Sequence, residues 1–166
     1  MGDVLVIPVR EATKRDFSRL VKIMSKSADK RELKGFVPPA SETRKFLSKL
    51  RKQLGVAGHK VFVAEMNQEP VGFIYLTHEK DCVVIEEVDV AKKYQRLGIG
   101  KALVKRAERL ARDKGVKYLT TGTAINSEGE PWKAYGFWMR MGYVDAGERT
   151  DTGYGFKYCK LVKKLQ

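Results

Sequence analysis

Two groups of residues are equipped for chemistry. The first is the stretch 94–103, Tyr-Gln-Arg-Leu-Gly-Ile-Gly-Lys-Ala-Leu, with two glycines between a strand-like run and an amphipathic helix. The first turn of a helix leaves backbone N–H groups without partners and carries a partial positive charge, so it attracts anions. Gly98 and Gly100 have no side chains to hold a phosphate off those donors. Two other phosphate loops are excluded. A Walker loop needs a glycine where Gln95 stands and a Ser or Thr where Ala102 stands. A dinucleotide fingerprint needs a third glycine where Leu103 stands.

The second group is acidic. Glu86, Glu87 and Asp89 interrupt an otherwise apolar strand over 82–90, where carboxylates are costly unless exposed, paired or put to use. Alternation sets Glu87 and Asp89 on one face and Glu86 with Val84 and Val88 on the other. An ion pair with a nearby Lys would explain either glutamate as well as a catalytic role does. Cys82 and Cys159 have no C-x-x-C companion and no His in their segments, and His59 and His78 are isolated. Neither a metal site, a disulfide framework nor an activated thiol is indicated.

Regular elements must hold these groups in place. A weak alternation predicts a strand over 4–9, followed by Thr13-x-x-Asp16, a capping box with Asp in place of Glu. Phe17, Leu20, Val21 and Met24 then follow at helical spacing. Residues 26–40, with Gly35, Pro38 and Pro39, read as a loop before Ser41 caps a helix that carries Phe46, Leu47, Leu50 and Leu54. Period-2 segments at 60–65, 71–78 and 82–90, joined by turns at 67–70 and 79–81, predict three antiparallel strands. The helix after the glycine turn buries Ile99, Leu103, Ala107 and Leu110 and stops at Gly115. A strand over 117–123 follows the crossover and is expected parallel to its predecessor. A helix over 131–141 and strands at 143–145 and 156–162 close the chain.

The 166 residues suit one domain, 1–166, and no apolar run approaches the roughly 20 residues that span a bilayer. Without a signal-like N-terminus the expected location is cytoplasmic. The net charge of +13 is spread over several helices with acids interspersed, as in Glu108 four residues before Arg112, which reads as solvated faces. No helix-turn-helix, zinc finger or aromatic RNA-binding motif accompanies that charge, which argues against nucleic acid as partner.

Gln95-Arg96-x-Gly98-x-Gly100 after Val88-Asp89-Val90 closely resembles motif A of the GNAT family of N-acetyltransferases, and the order of elements is similar from about residue 4 to 161. The resemblance implies an α/β (α+β) fold: a mixed, mostly antiparallel sheet flanked by helices on both faces, with one central parallel pair whose strands splay. It implies acetyl-CoA as cosubstrate, without a metal, and an amine as acceptor. The diphosphate would lie on Gln95, Arg96, Leu97, Gly98, Ile99, Gly100, Lys101 and Ala102. The pantetheine arm would lie along Val88, Asp89 and Val90, with the Val90 amide facing the thioester carbonyl. For a base, Glu87 is the first choice and Glu86 the second.

The chain departs from the family pattern at the general acid. Trp138 holds the position of the usual Tyr and Pro131 that of the usual Asn. Tyr135 is a substitute candidate for the acid, and Asn126 and Trp138 are candidates for coenzyme contacts. Trp132, Tyr135 and Trp138 at helical spacing are equally explained as core aromatics. Loops 26–40 and 146–154 would line the acceptor cleft, with Asp151 and Glu148 either attracting a cationic amine or forming turns. An exposed closing strand would allow a homodimer. Two other classes stay open: a coenzyme-binding sensor that has lost activity, favoured by the missing Tyr, and a basic nucleic-acid-binding protein.

Overall fold

The meander predicted from period-2 alternation forms the first half of the sheet. The computed structural model describes residues 5–28 and 32–166. Strands β1 (Val9–Glu11), β2 (His59–Met66), β3 (Glu69–His78) and β4 (Cys82–Val90) lie side by side, each antiparallel to the last. Asn67 and Gln68 turn β2 into β3 with φ of 52° and 64°, the left-handed pair that matches the twist of a tight hairpin. Two residues suffice for this turn, so β3 starts at Glu69, before the predicted 71.

A helix must cross over before the next strand can lie parallel. Helix α1 (Phe17–Ser25) and helix α2 (Ala40–Gln53) lie between β1 and β2, and helix α3 (Ile99–Asp113) follows β4. Strand β5 (Tyr118–Asn126) returns parallel to β4. Helix α4 (Ala134–Arg140) and the hairpin of β6 (Val144–Asp151) and β7 (Phe156–Lys164) complete the sheet, in the order β1-β2-β3-β4-β5-β7-β6. The fold is therefore the expected mixed sheet with one parallel pair.

The two faces have separate cores. Leu20 and Ile23 of α1 and Leu50 of α2 pack on Val61, Val63, Phe73 and Tyr75. On the other face, Ile99, Leu103 and Ala107 of α3 and Trp138 of α4 pack on Phe62, Ile74, Val83 and Ile85. Each such buried aliphatic or aromatic side chain contributes about 1.5 to 3 kcal/mol. No described helix is long and apolar enough to cross a membrane.

The feature that makes a site is a failure of pairing. Parallel contact between β4 and β5 covers three pairs, Cys82 with Tyr118, Val83 with Leu119 and Val84 with Thr120. Beyond these, β4 stays with β3 as far as Val90 and β5 stays with β7 as far as Asn126, so the two strands diverge. At the fork, Tyr75 pairs with Glu87 and Leu76 with Ile85, so Glu86 is the extra residue of a β-bulge. The Thr121 hydroxyl donates to the Ile85 carbonyl at 3.1 Å and takes over where backbone pairing ends.

Several expected boundaries move, each for a local reason. The first strand runs over Val9–Glu11; Leu5 and Val6 are exposed, and Val4 lies outside the described residues. Helix α2 begins one residue before the predicted Ser41 cap, because Glu42 N–H bonds the Pro39 carbonyl at 2.9 Å. The last helix begins at Ala134, not Pro131: Pro131 bridges to Ile125, and Trp132 N–H donates to the Ala124 carbonyl at 2.8 Å. Most of 146–154 is strand, since β6 reaches Asp151 across a bulge between Asp145 and Arg149. Glu108 is not on a solvated face; it is buried and bonded to Lys163 at 2.8 Å.

Candidate active site

The fork in the sheet exposes a row of backbone groups. Ala91 N–H donates to the Val71 carbonyl at 3.0 Å, so Ala91 faces β3. By alternation, Val88 and Val90 turn their N–H and C=O groups away from β3, into the opening left by β5. The Val90 carbonyl is already occupied, because Gln95 Nε2 donates to it at 2.8 Å and to the Ser27 carbonyl at 2.6 Å. Gln95 is thus a clamp between the end of β4 and the segment after α1. Lys92 N–H adds a second tie to the Lys26 carbonyl at 2.7 Å. The Val90 N–H is left facing the opening.

The glycine turn follows directly. Arg96 and Gly98 are left-handed, with φ of 63° and 85°. Gly98 caps α3, and the first helical bond runs from Ala102 N–H to its carbonyl at 3.0 Å. The N–H groups of Ile99, Gly100 and Lys101 therefore precede the ladder and have no helical acceptor. The Ile99 side chain is buried in the core, where it anchors the helix start, while Leu97 is exposed. A Cβ at Gly100 would sit 3.5 Å from the Phe137 ring of α4, an ordinary contact. Gly98 is the position that needs glycine, since its left-handed backbone strains any other residue.

The acidic group is arranged differently from its expected alternation. Glu86 does not join Val88. Thr77 Oγ1 donates to Glu86 at 2.8 Å, and Thr77 shares the face of Tyr75, so the bulge brings Glu86 round to the side of Glu87. Val88 and Val90 pack with Val83 and Ile85 on the opposite face. Glu87 and Asp89 do share a face, as expected. Burial raises Glu87 well above the usual carboxylate range, and the charge of Asp89 adds to it. Burial also pushes Asp89 up to about 6, against hydrogen bonds from Glu87 and Ser27 that hold it down. Both keep part of their outline in solvent, but their carboxyls are crowded enough for desolvation to dominate. The two interact closely enough to titrate as a pair.

Tyr158 of β7 borders the same cleft. Burial raises its hydroxyl, and the charges of Glu87 and Glu42 raise it further. Tyr154 bonds Glu42 at the start of α2, so α2, β4 and β7 converge there. Glu42 and Tyr158 carried no signal in the sequence, because only the strand order brings them to β4, whereas Tyr154 ends the segment 146–154 that was expected to line the acceptor cleft.

The model of the acetyltransferase (GNAT) family matches residues 26–143. The chain belongs to the GNAT family. No curated protein sequence matches it. The PaiA N-acetyltransferase of Thermoplasma acidophilum, solved in complex with coenzyme A, is 18% identical with a TM-score of 0.74, covering 97% of this chain and 100% of its own. An acetyltransferase of the GNAT family from Staphylococcus aureus Mu50 is 18% identical with a TM-score of 0.73, covering 97% and 100%. The ribosomal-protein-S18-alanine N-acetyltransferase of Escherichia coli is 15% identical with a TM-score of 0.70, covering 97% and 95%. At such identities these structures establish the shared fold.

Trp138, expected from the resemblance at the position of a Tyr, is a core residue only 2% exposed, with its ring 5.1 Å from Phe137 and 4.9 Å from Tyr143. The Tyr135 hydroxyl donates to Asp145 at 3.2 Å, and Asp145 is in turn held by Arg149 at 2.8 Å, so that phenol is tied to β6. Asn126 is committed too. Its Oδ1 accepts from Glu128 and Glu130 N–H at 3.0 and 2.9 Å, which shapes the turn after β5. Asp151 caps its own turn through Gly153 N–H at 2.8 Å, and Glu148 pairs with Lys160 at 3.5 Å. Both cysteines are buried, and burial holds their thiols protonated. Among the described residues no three His, Cys, Asp or Glu side chains gather as metal ligands.

Proposed function

We propose that this GNAT protein transfers acetyl directly from acetyl-CoA to a primary amine. The observation that carries the reading is the continuity of the opening: it starts where β4 and β5 part after Val84 and Thr120, runs past the outward backbone of Val88 and Val90, and reaches the amides of Ile99, Gly100 and Lys101. In this reading the pantetheine arm pairs with the β4 edge as an added strand would, and the diphosphate rests on the start of α3. Arg96, Leu97, Lys101 and Ala102 flank the phosphates, while Gln95 holds the turn in place.

The Glu87–Asp89 pair accepts the proton that an ammonium acceptor must lose before it can attack. The neutral amine then adds to the thioester carbonyl, whose oxygen gains charge next to Val90 N–H; donors so placed are worth about 3 to 4 kcal/mol. Collapse breaks the C–S bond, the nitrogen passes its second proton to water, and the departing thiolate takes one proton back from that water, so the second proton moves in net from nitrogen to sulfur. Burial of two carboxylates beside this path, Glu87 and Asp89, with Glu86 exposed next to them, favours an acceptor that arrives positively charged. The unpaired cysteines suit a reducing compartment such as the cytoplasm. The exposed edge strand β6 suits pairing with a second copy.

The test is calorimetry with acetyl-CoA, followed by thiol release with a panel of amines. Binding at micromolar concentration and amine-dependent release are expected, with intersecting initial-rate lines. No heat from either coenzyme A or acetyl-CoA rejects the reading. Parallel lines reject direct transfer alone.

A further inference from the structure

A second concave site lies beside the Lys26–Lys92 tie, between α1 and the segment that leaves β4. It encloses about 420 Å³, within the range of small-molecule sites. Five cations line it: Arg19, Lys22 and Lys26 from α1 and its end, and Lys92 and Lys93 from the 3-10 turn Lys92–Tyr94. The one lining carboxylate is Glu69. Arg19 reaches Glu69 at 3.4 Å, and Lys92 reaches Glu32 at 3.3 Å. Among the described residues, Lys22, Lys26 and Lys93 have no carboxylate partner; Lys93 lies over the Tyr94 ring at 5.5 Å.

Charges of one sign collected in a concavity repel one another and focus their field into it, an arrangement that an anion relieves. The negative end of the α1 dipole accounts for Lys22 in its last turn. It does not account for Arg19 one turn earlier, nor for Lys92 and Lys93 on another element. The floor is apolar, formed by Ile23, Pro70, Val71 and Ala91. A purely solvated basic face has no need of such a floor.

We propose that this groove is a second anion site, which takes a phosphate-bearing small molecule whose planar or apolar body lies on that floor. It is separate from the glycine turn. Val71 and Ala91, which bond each other at 3.0 Å, form part of its wall, and Ala91 follows Val90 directly. An occupant would therefore stiffen the strand end that carries the Val90 amide.

Calorimetry on protein saturated with coenzyme A separates this site from the turn. ADP and inorganic diphosphate should each register one additional site. Tighter binding of ADP supports an occupant whose planar body uses the floor, and equal affinities overturn that part of the proposal. The variant Lys22→Glu/Lys93→Glu should weaken the added binding about tenfold, a change equivalent to about 1.4 kcal/mol. Coenzyme A affinity and thermal midpoint should stay unchanged. The milder Lys22→Ala/Lys93→Ala pair should give an intermediate loss. The proposal is overturned if neither probe gives heat, if the heat survives charge reversal, or if either probe displaces coenzyme A. Failure of coenzyme A itself to bind would instead count against the acetyltransferase reading, and the groove would then be titrated in the free protein.

Discussion

The two sides of the fork are built from different materials. The α3 side presents backbone: the outward groups of Val88 and Val90 and the amides of Ile99, Gly100 and Lys101, all within one stretch of chain. The α2 side presents side chains from distant segments: Glu42 from α2, Glu86, Glu87 and Asp89 from β4, Tyr158 from β7. Backbone donors tolerate most side-chain changes as long as φ and ψ are kept. A side-chain cluster tolerates few, because each member sets the charge state of the next. The first side should therefore fail through conformation and the second through protonation.

The largest expected effect is on the side-chain half. Glu87→Gln should lower kcat about 100-fold with little change in KM for acetyl-CoA, as measured by thiol release. The wild-type rate should rise with pH as the pair loses its protons, and it should fall below pH of about 6, where Asp89 is protonated too. A flat profile would remove the pair from the mechanism. The backbone half comes next. Gly98→Val forces a β-branched residue into φ of 85° and should weaken coenzyme A binding by at least about tenfold in calorimetry. Gly100→Ala, whose new carbon would make only ordinary contact, should stay within about threefold. Equal losses at the two glycines would mean that side-chain bulk, and not backbone conformation, governs this half.

A smaller effect has the opposite sign. The folded protein raises the pKa of Glu87, so it holds that proton more tightly than the unfolded chain does. Stability from this group is complete in acid, below the usual carboxylate range, and is lost as pH rises through its raised value. Glu87→Gln should therefore raise Tm by about 2 to 4 °C at pH near 8, and the gain should vanish near pH 4. A Tm that falls at high pH would mean that Glu87 is stabilising and not strained. The smallest effect belongs to Tyr135→Phe, which should leave kcat within about twofold and cost about 1 kcal/mol of stability through loss of the Asp145 bond. A large loss of kcat would restore Tyr135 as the acid.

What could be read in the chain follows the same division. The turn, both glycines, the crossover helix and the parallel return of β5 were legible because each depends on neighbours in sequence: capping, helical period, and the reach of a crossover. The face of Glu86 was not, because one bulge residue reverses the parity of everything beyond it and alternation carries no mark of where a bulge falls. Trp138 and Asn126 stood where ligand contacts were expected, yet one is enclosed by Phe137 and Tyr143 and the other holds its own turn. Gln95 was read as a phosphate contact and is a clamp on two carbonyls, one of them 68 residues away in sequence.

By itself, then, the sequence determined the unpaired amides at the glycine-capped start of α3 and the order of strands around it, since capping and hydrophobic period are properties of short segments. Only the tertiary structure decided where β4 and β5 part, which carboxylates titrate together, and which α4 aromatics are sealed in the core. Those outcomes depend on register and on desolvation by groups far apart along the chain, and neither is encoded in any one stretch of residues.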